Sequence, residues 1–290
     1  MCAACSRSDT AMPVGVEAAQ VWRANLALTY ERQGKRSVLA ARRHDGPLVV
    51  QKPLYPEGDG VCHTIVVHPP GGIAGGDELQ ISACLRTAAH ALLTTPSAGK
   101  WYRSLGMWAR QGVDFDLHSG VCLEWLPQEN IFFNGAYAQL RTTVRLSGNA
   151  NFIGWDICCL GRTGSGETIS AGSFRWRTSI ERDHRPLWFE SARLEGSGTE
   201  LQSAVVLAGQ PVVGTLMAAS HKLDSAALNA CRQLQPVSGD GAVTLLPGLI
   251  LGRYRGMSSE AAKNYFINLW HQLRPLVVGR EAIDPRIWRT

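Results

Sequence analysis

Alternation of side-chain character with a period of two constrains this chain more than any other feature. In "AQLRTTVRL", Ala138, Leu140, Thr142, Val144 and Leu146 face one way while Gln139, Arg141, Thr143 and Arg145 face the other, the pattern of a half-buried strand. "FRWRTSIE" repeats it, setting Phe174, Trp176, Thr178 and Ile180 against Arg175, Arg177, Ser179 and Glu181. Further strands are predicted over 61–67, 80–85, 91–94, 113–117, 152–160, 186–194, 212–217 and 250–254, separated by turn-forming runs such as "PEGDG", "LSGNA" and "RTGSGE". Only two stretches carry a helical period. "LDSAALNACRQL" aligns Leu223, Ala227, Cys231 and Leu234 behind Asp224. "SSEAAKNYFINLWHQL" aligns Ala262, Tyr265, Phe266, Leu269, Trp270 and Leu273 behind Ser258 and Ser259, and Pro275 is expected to stop it. Helices placed this late exclude a strand–helix–strand plan. They predict one mainly β domain over residues 20–290 with two helices laid on it, after a patternless flexible tail over 1–19. No fixed-period repeat is present, which by itself speaks against a propeller or a repeat-built solenoid.

Composition narrows the function classes. With 45% hydrophobic and 18% charged residues the chain reads as an ordinary globular protein. Its net charge of +5 is scattered without a run of basic residues, which suits an acidic protein partner better than nucleic acid. No stretch approaches the roughly 18 apolar residues of a membrane span, and no basic-then-apolar leader opens the chain, so a cytoplasmic location is expected. Cys158 and Cys159 are adjacent, and Cys62, Cys84, Cys122 and Cys231 sit singly in apolar runs, as reduced core thiols do. Cys2 and Cys5 lack the second pair that a zinc site needs. Cys62 and His63 are neighbours on a predicted strand and point to opposite faces, which favours a core cysteine beside a hydrogen-bonded histidine over a shared ion.

Glycine-rich segments invite a phosphate reading that fails on charge. "GRTGSGET" has the glycine spacing of a phosphate loop, but Glu167 stands where the phosphate-gripping lysine belongs; in "TPSAGKWY", Thr94 replaces the first glycine. No G-x-S-x-G elbow is present. What remains unusual is a set of acids in apolar or glycine-rich surroundings: Asp77 after "HPPGGIAGG", Glu124 in "CLEWLP", Asp156 in "FIGWDICCL" and Glu190 in "LWFESA". An unpaired buried charge is very unfavourable. Either each is satisfied structurally, for example by backbone N–H groups or by Arg103 or Arg162, or several converge on an interior polar path whose oxygen ligands pass a divalent cation without trapping it.

The same residues carry a resemblance. "YPEGDGVCHTIVVHPPGGIAGGDELQIS", "LLTTPSAGKWYRS", "LEWLPQENIFFNGA", "WDICCLGRTGSGE" and the closing "PRIWRT" resemble, in order, the urease accessory protein family UreD, called UreH in some species. The resemblance implies a large solenoid-like (β-helix-like) stack of strands with two helices in the C-terminal half. It also implies a scaffold for urease maturation that is not an enzyme and holds no tight cofactor. Expected partners are apo-urease, UreF and, through UreF, the GTPase UreG, with nickel in transit to the urease active site. By motif position the implied nickel path takes Asp77, Asp156 and Glu190, with the glycines at 71, 72, 75 and 76 aiming Asp77 inward. Thr94, Thr95, Lys100, Tyr102 and Glu124 are channel or rim candidates. Cys2 and Cys5 match no motif of that family. "NLWHQLRP" and "PRIWRT" are either contact elements or core. The alternative reading is a carbohydrate-active β-solenoid enzyme that uses paired carboxylates such as Asp77 and Asp156 as acid and base. A free-standing nickel store would need clustered strong ligands, and the eight histidines are too dispersed to supply them.

Overall fold

The computed structural model describes residues 21–289; Cys2, Cys5 and the tail expected over 1–19 lie outside the described residues. The strands run as β1 (Arg23–Gln33), β2 (Arg36–Asp45), β3 (Val49–Val50), β4 (Cys62–Val67), β5 (Glu78–Leu85), β6 (His90–Thr94), β7 (Gly99–Trp101), β8 (Ala109–Leu117) and β9 (Cys122–Leu126). They continue as β10 (Asn130–Phe132), β11 (Tyr137–Leu146), β12 (Asn151–Leu160), β13 (Ser173–Arg182), β14 (Arg185–Glu195), β15 (Val212–Ala219), β16 (Asp240–Leu246) and β17 (Leu249–Gly256). Helix α1 (Ser225–Arg232) precedes β16 and α2 (Ser259–Val278) follows β17. Among the described residues no helix is long and apolar enough to cross a membrane.

Two sheets face each other. Sheet I has the order β14-β13-β11-β8-β5-β1-β2 and sheet II the order β16-β17-β15-β12-β9-β6-β4-β3, with β7 and β10 as a short row beside β12. The central neighbours in both sheets are parallel, because the chain passes from sheet I to sheet II and back, making a β-solenoid of about four turns. Antiparallel strands β2, β3 and β14 to β17 close its two ends. Successive sheet I strands begin at Glu78, Ala109, Tyr137 and Ser173, intervals of 31, 28 and 36 residues. These unequal coils explain why a solenoid is built here without the repeat that its sequence would otherwise display.

Register converts the alternation into stacked rows. Leu28, Ala83, Phe115, Val144 and Ile180 form one inward row of sheet I, and Leu26, Ile81, Val113, Thr142 and Thr178 the next. Phe115 meets Trp125 and Phe152 of sheet II at ring distances of 5.7 and 6.2 Å, filling the interior between the sheets. A second core lies on the outer side of sheet II, where Trp155, Phe266 and Trp270 are buried beneath the helices. The carboxylate of Asp224 caps α1 by accepting from Ala227 N at 2.9 Å, and the Ser258 hydroxyl caps α2 by accepting from Ala261 N at 3.2 Å. Helix α2 does not stop at Pro275 but continues to Val278, where Gly279 takes a left-handed conformation (φ 77°) and donates to the Pro275 carbonyl. The missing N–H costs one bond in the last turn, and burial of Arg274 and Val277 keeps that turn helical. The six described cysteines are free thiols, all buried except half-exposed Cys84.

Helix α2 is held to the solenoid by buried charge. Glu124, on β9 and fully buried, accepts from Arg274 Nε and Trp270 Nε1 at its Oε2 (2.8 and 2.7 Å); its Oε1 meets His90 Nε2 and Arg274 Nη2 (2.7 and 3.0 Å). Arg274 Nη2 also reaches Glu57 at 2.8 Å, and Glu57 holds His63 at 2.6 Å. His63 is thus the hydrogen-bonded histidine expected beside Cys62. Neither Arg103 nor Arg162 serves Glu124, since Arg162 pairs with its own neighbour Glu167. Burial alone would raise the Glu124 carboxyl, but the hydrogen bond from His90 and the Arg274 guanidinium outweigh it and hold the group at about 2. Trp288 of the C-terminal segment packs at a tilt against Trp155 and edge-on against Trp270 and donates to Thr94 Oγ1 at 2.9 Å, so these tryptophans are packing elements.

Replacing Arg274→Met strands Glu124 and should destabilise the fold by about 3–5 kcal/mol. Glu124→Gln added to that variant should recover a large part, read from urea midpoints; simple additivity would deny the coupling. Because the folded-state value of Glu124 lies below the usual 4.5, its contribution, on the order of 3 kcal/mol, is complete above that pH and is lost as pH falls toward 2. Wild type should therefore lose stability over that interval more steeply than the double variant.

Candidate functional site

Toward the C-terminal end of the solenoid one inward row changes from apolar to polar. The row that begins Leu26, Ile81, Val113 continues through Thr142 and Thr178 to Glu190 on β14. On sheet II, Asp156 of β12 stands opposite Thr215 of β15, which stands opposite Arg253 of β17. Between these rows lies a cavity of about 530 Å³, walled by Thr142, Asp156, Thr178, Glu190, Thr215 and Arg253 among others. A second cavity of about 100 Å³ lies further along the interior, walled by His68, Gly71, Gly72, Thr95, Lys100, Gln111 and Asn130. Asp156 lines both.

The electrostatics single out Asp156. Glu190 is neutralised by Arg253, whose Nη1 donates to Glu190 Oε1 at 2.6 Å and to Thr215 Oγ1 at 2.7 Å. Asp156 has no cation within ion-pair distance among the described residues, and its one protein contact is a long 3.5 Å approach of the Thr142 hydroxyl to Oδ2. Burial raises its carboxyl to about 6; the Thr142 contact opposes that shift weakly and the charge of Glu190 adds to it. Asp156 is a buried acid on the wall shared by both cavities, with no cation beside it among the described residues to balance its charge.

The remaining residues singled out from sequence are distributed as follows. Asp77 turns back onto its own loop, accepting from Ala74 N at 2.8 Å and Trp22 N at 3.3 Å, and lines neither cavity. The glycines around it serve close approach: a Cβ on Gly72 would lie 2.2 Å from the Tyr102 ring, and Gly76 adopts φ +97°. The charge of Asp77 partly offsets the effect of burial on His68, which suppresses ionisation of that imidazole on the wall of the smaller cavity. Thr95 and Lys100 line that cavity. Thr94 is buried, donating to the Leu126 carbonyl at 2.6 Å, and Tyr102 is exposed against Phe133. Glu124 belongs to the charge cluster under α2 and lines neither cavity. Among the described residues no three His, Cys, Asp or Glu side chains are placed to hold a metal ion together. Arg253, Thr142, Thr178 and Thr215 were not singled out. The available signal was the presence of threonines at 142 and 178 in inward rows otherwise built of apolar residues.

Comparison with known proteins agrees with the sequence motifs. Residues 23–289 match the model of the family described as UreD urease accessory protein. A protein named urease accessory protein UreD from Azoarcus sp. (strain BH72) is 54% identical over 269 residues, covering 93% of this chain and 94% of its own. One of the same name from Dechloromonas aromatica (strain RCB) is 50% identical over 273 residues, covering 93% and 95%. Another, from Pseudomonas aeruginosa, is 47% identical over 270 residues with the same coverage.

The state of Asp156 predicts opposed effects on stability and function. Its folded value, about 6, lies above the ordinary 3.8, so folding is favoured by this group at low pH and loses that advantage as pH rises through 6. Asp156→Asn should therefore stabilise the protein at pH 7 by about 1–2 kcal/mol, allowing for solvent in the cavity, and flatten its stability between the ordinary 3.8 and about 6. Equal denaturation midpoints at pH 7 would show that Asp156 is already compensated.

Proposed function

The chain belongs to the UreD urease accessory protein family and acts in urease maturation; from that premise we propose that its interior conducts nickel to apo-urease through the cavities that meet at Asp156. The observation that carries this reading is the position of one uncompensated carboxylate on the wall shared by both cavities. Threonine hydroxyls at 142, 178 and 215 extend the oxygen lining toward Glu190. Such a lining suits transit. Nickel binds nitrogen and thiolate ligands more strongly than carboxylate, hydroxyl and water oxygens; Cys158 and His68 line one cavity each, singly, and burial keeps the Cys158 thiol protonated, so the oxygens have no imidazole or thiolate cluster beside them and let the ion move on. Asp156 attracts the cation and the hydroxyls replace part of its hydration.

Arg253 sets the balance at the wide end. Its guanidinium repels a second cation and occupies Glu190, so a metal ion must compete for that carboxylate while Asp156 stands free. Asp77 contributes through the fixed geometry of its loop, and Thr95 and Lys100 border the narrow end. Lys100 limits how long a cation resides there. The partners in this reading are apo-urease and UreF, with UreG joined through UreF. Members of this family serve urease as accessory proteins and not as catalysts, and Asp77 and Asp156 share no cavity in which to act as an acid and base pair.

Co-expression with a urease operon that lacks its own copy tests the proposal. Asp156→Ala should lower both urease activity and nickel content by at least about tenfold while UreF still co-purifies with the chain. Glu190→Gln should have a smaller effect, because Arg253 already masks that charge. Wild-type nickel loading by Asp156→Ala would remove the interior route and leave a docking scaffold.

A further inference from the structure

The outer face of sheet I carries charge that the interior route does not use. Parallel register stacks outward side chains as it stacks inward ones. One outward row reads Arg23, Glu78, Arg110, Gln139, Arg175, Arg193 across β1, β5, β8, β11, β13 and β14. The next contains Asn25, Gln80, Gly112, Arg141, Arg177 and Ser191, with Asp45 of β2 at its edge. The two rows hold six arginines, four of them already paired: Glu78 alone serves both Arg23 and Arg110 at 3.4 Å, Asp114 holds Arg141 at 2.6 Å and Glu195 holds Arg193 at 2.6 Å, which leaves Arg175 and Arg177 without an ion pair among the described residues. The other half of the same face is balanced: Arg145 is paired with Asp116 and lies near Asp114 and Glu181. Within the band, Gly112 forms the floor of a shallow depression of about 370 Å³ walled by Arg23, Arg110, Arg141 and Gln80. A Cβ on Gly112 would lie 2.1 Å from the Gln80 amide oxygen, so glycine keeps that floor open.

We propose that this arginine band is a docking surface for an acidic protein segment. Strands 4.7–4.9 Å apart place Arg23 and Arg110, two strands apart, about 9–10 Å from one another with Glu78 between them; that one carboxylate serves both at 3.4 Å, so each guanidinium keeps donors for a carboxylate on a partner's surface. Guanidinium groups match carboxylates through two parallel hydrogen bonds. Arg175 and Arg177 are exposed and form no ion pair among the described residues; instead they lie over Trp108 and Phe189 at 4.3 and 5.4 Å, which fixes their planes and leaves their outer edges open. The same stacking covers the aromatic faces on which bases of a single strand would lie. Glu78 and Asp114, inside or bordering the band, would repel a continuous phosphate backbone, whereas a protein partner can space its acids around them. The inference stands whether or not nickel crosses the interior.

The test uses the full chain and a fluorescein-labelled oligo-glutamate peptide of about a dozen residues, followed by anisotropy at rising NaCl. Wild type should bind at low salt and weaken steeply as the screening length falls below about 10 Å. The triple variant Arg23→Glu, Arg110→Glu, Arg175→Glu should bind about thirtyfold more weakly or worse, whereas Lys35→Glu, Lys52→Glu, Lys222→Glu, with the same change in net charge, should stay within about threefold. If the reversal variant does not fold, replacing the same three arginines by glutamine removes the charge without adding any and should weaken binding in the same direction. Equal losses in the arginine and lysine variants, no binding by wild type, or tighter binding of a single-stranded oligothymidylate of equal charge would each overturn the assignment.

Discussion

A carboxylate in a dry interior needs a cation, and in this protein Glu124 obtains one from a helix far along the chain. Arg274 binds both of its oxygens, His90 and Trp270 complete the shell, and Glu57 takes the remaining reach of the guanidinium. The contact fixes which face of α2 meets sheet II and at what height, since a one-turn slip would move Arg274 about 5.4 Å and leave two buried acids without their guanidinium, Glu124 with His90 and Glu57 with His63. Everything laid on that helix inherits its position, including Trp288 wedged against Trp155 and Trp270.

The solenoid turns a simple period-two pattern into two stacked surfaces with separate uses. Inward rows pack the interior where they are apolar and open it where they become threonine and acid. Outward rows display more arginines than acids along one half of sheet I and balanced ion pairs along the other. A parallel stack lets both happen, because each row draws one residue from every coil and a change of residue type in successive coils becomes a gradient along the axis. The two acids of the interior show how neighbouring positions diverge: Glu190 is satisfied by Arg253, whereas Asp156 is left to the cavities. Glu124 and Asp156 diverge in the same way. Both are carboxylates on sheet II, yet one is held near 2 by its partners and the other is raised to about 6 for want of them.

Much of the fold was legible locally. The alternation in 138–146 and 174–181 corresponds to β11 and β13, both helices stand where their stripes placed them, and the capping residues Asp224 and Ser258 act as their positions implied. Strands β1 and β2 were not delimited: β2 places like residues side by side, Ala40 with Ala41 and Arg42 with Arg43, so neither face stands out, and Ala27 blurs the open face of β1. Pro275 misled because a helix end is decided by what the last turn packs against as well as by proline's missing N–H. Of the site, Asp156 and Glu190 were legible as acids in apolar runs. Arg253 was not, since an arginine on an alternating strand looks like any solvated one until the opposite sheet is known.

The sequence by itself determined the element types, the reduced state expected of the core thiols, the failure of the phosphate-loop pattern and, through its motifs, the family. These follow from properties of short segments, where side-chain period, turn chemistry and residue identity act within a few positions of one another. Only the tertiary structure decided that Glu124 would be a clamp, Asp77 a loop cap and Asp156 the acid shared by two cavities. Apart from the contact of Asp77 with Ala74 in its own loop, those roles depend on residues remote in the chain, brought close by coil lengths and strand registers that no local pattern encodes.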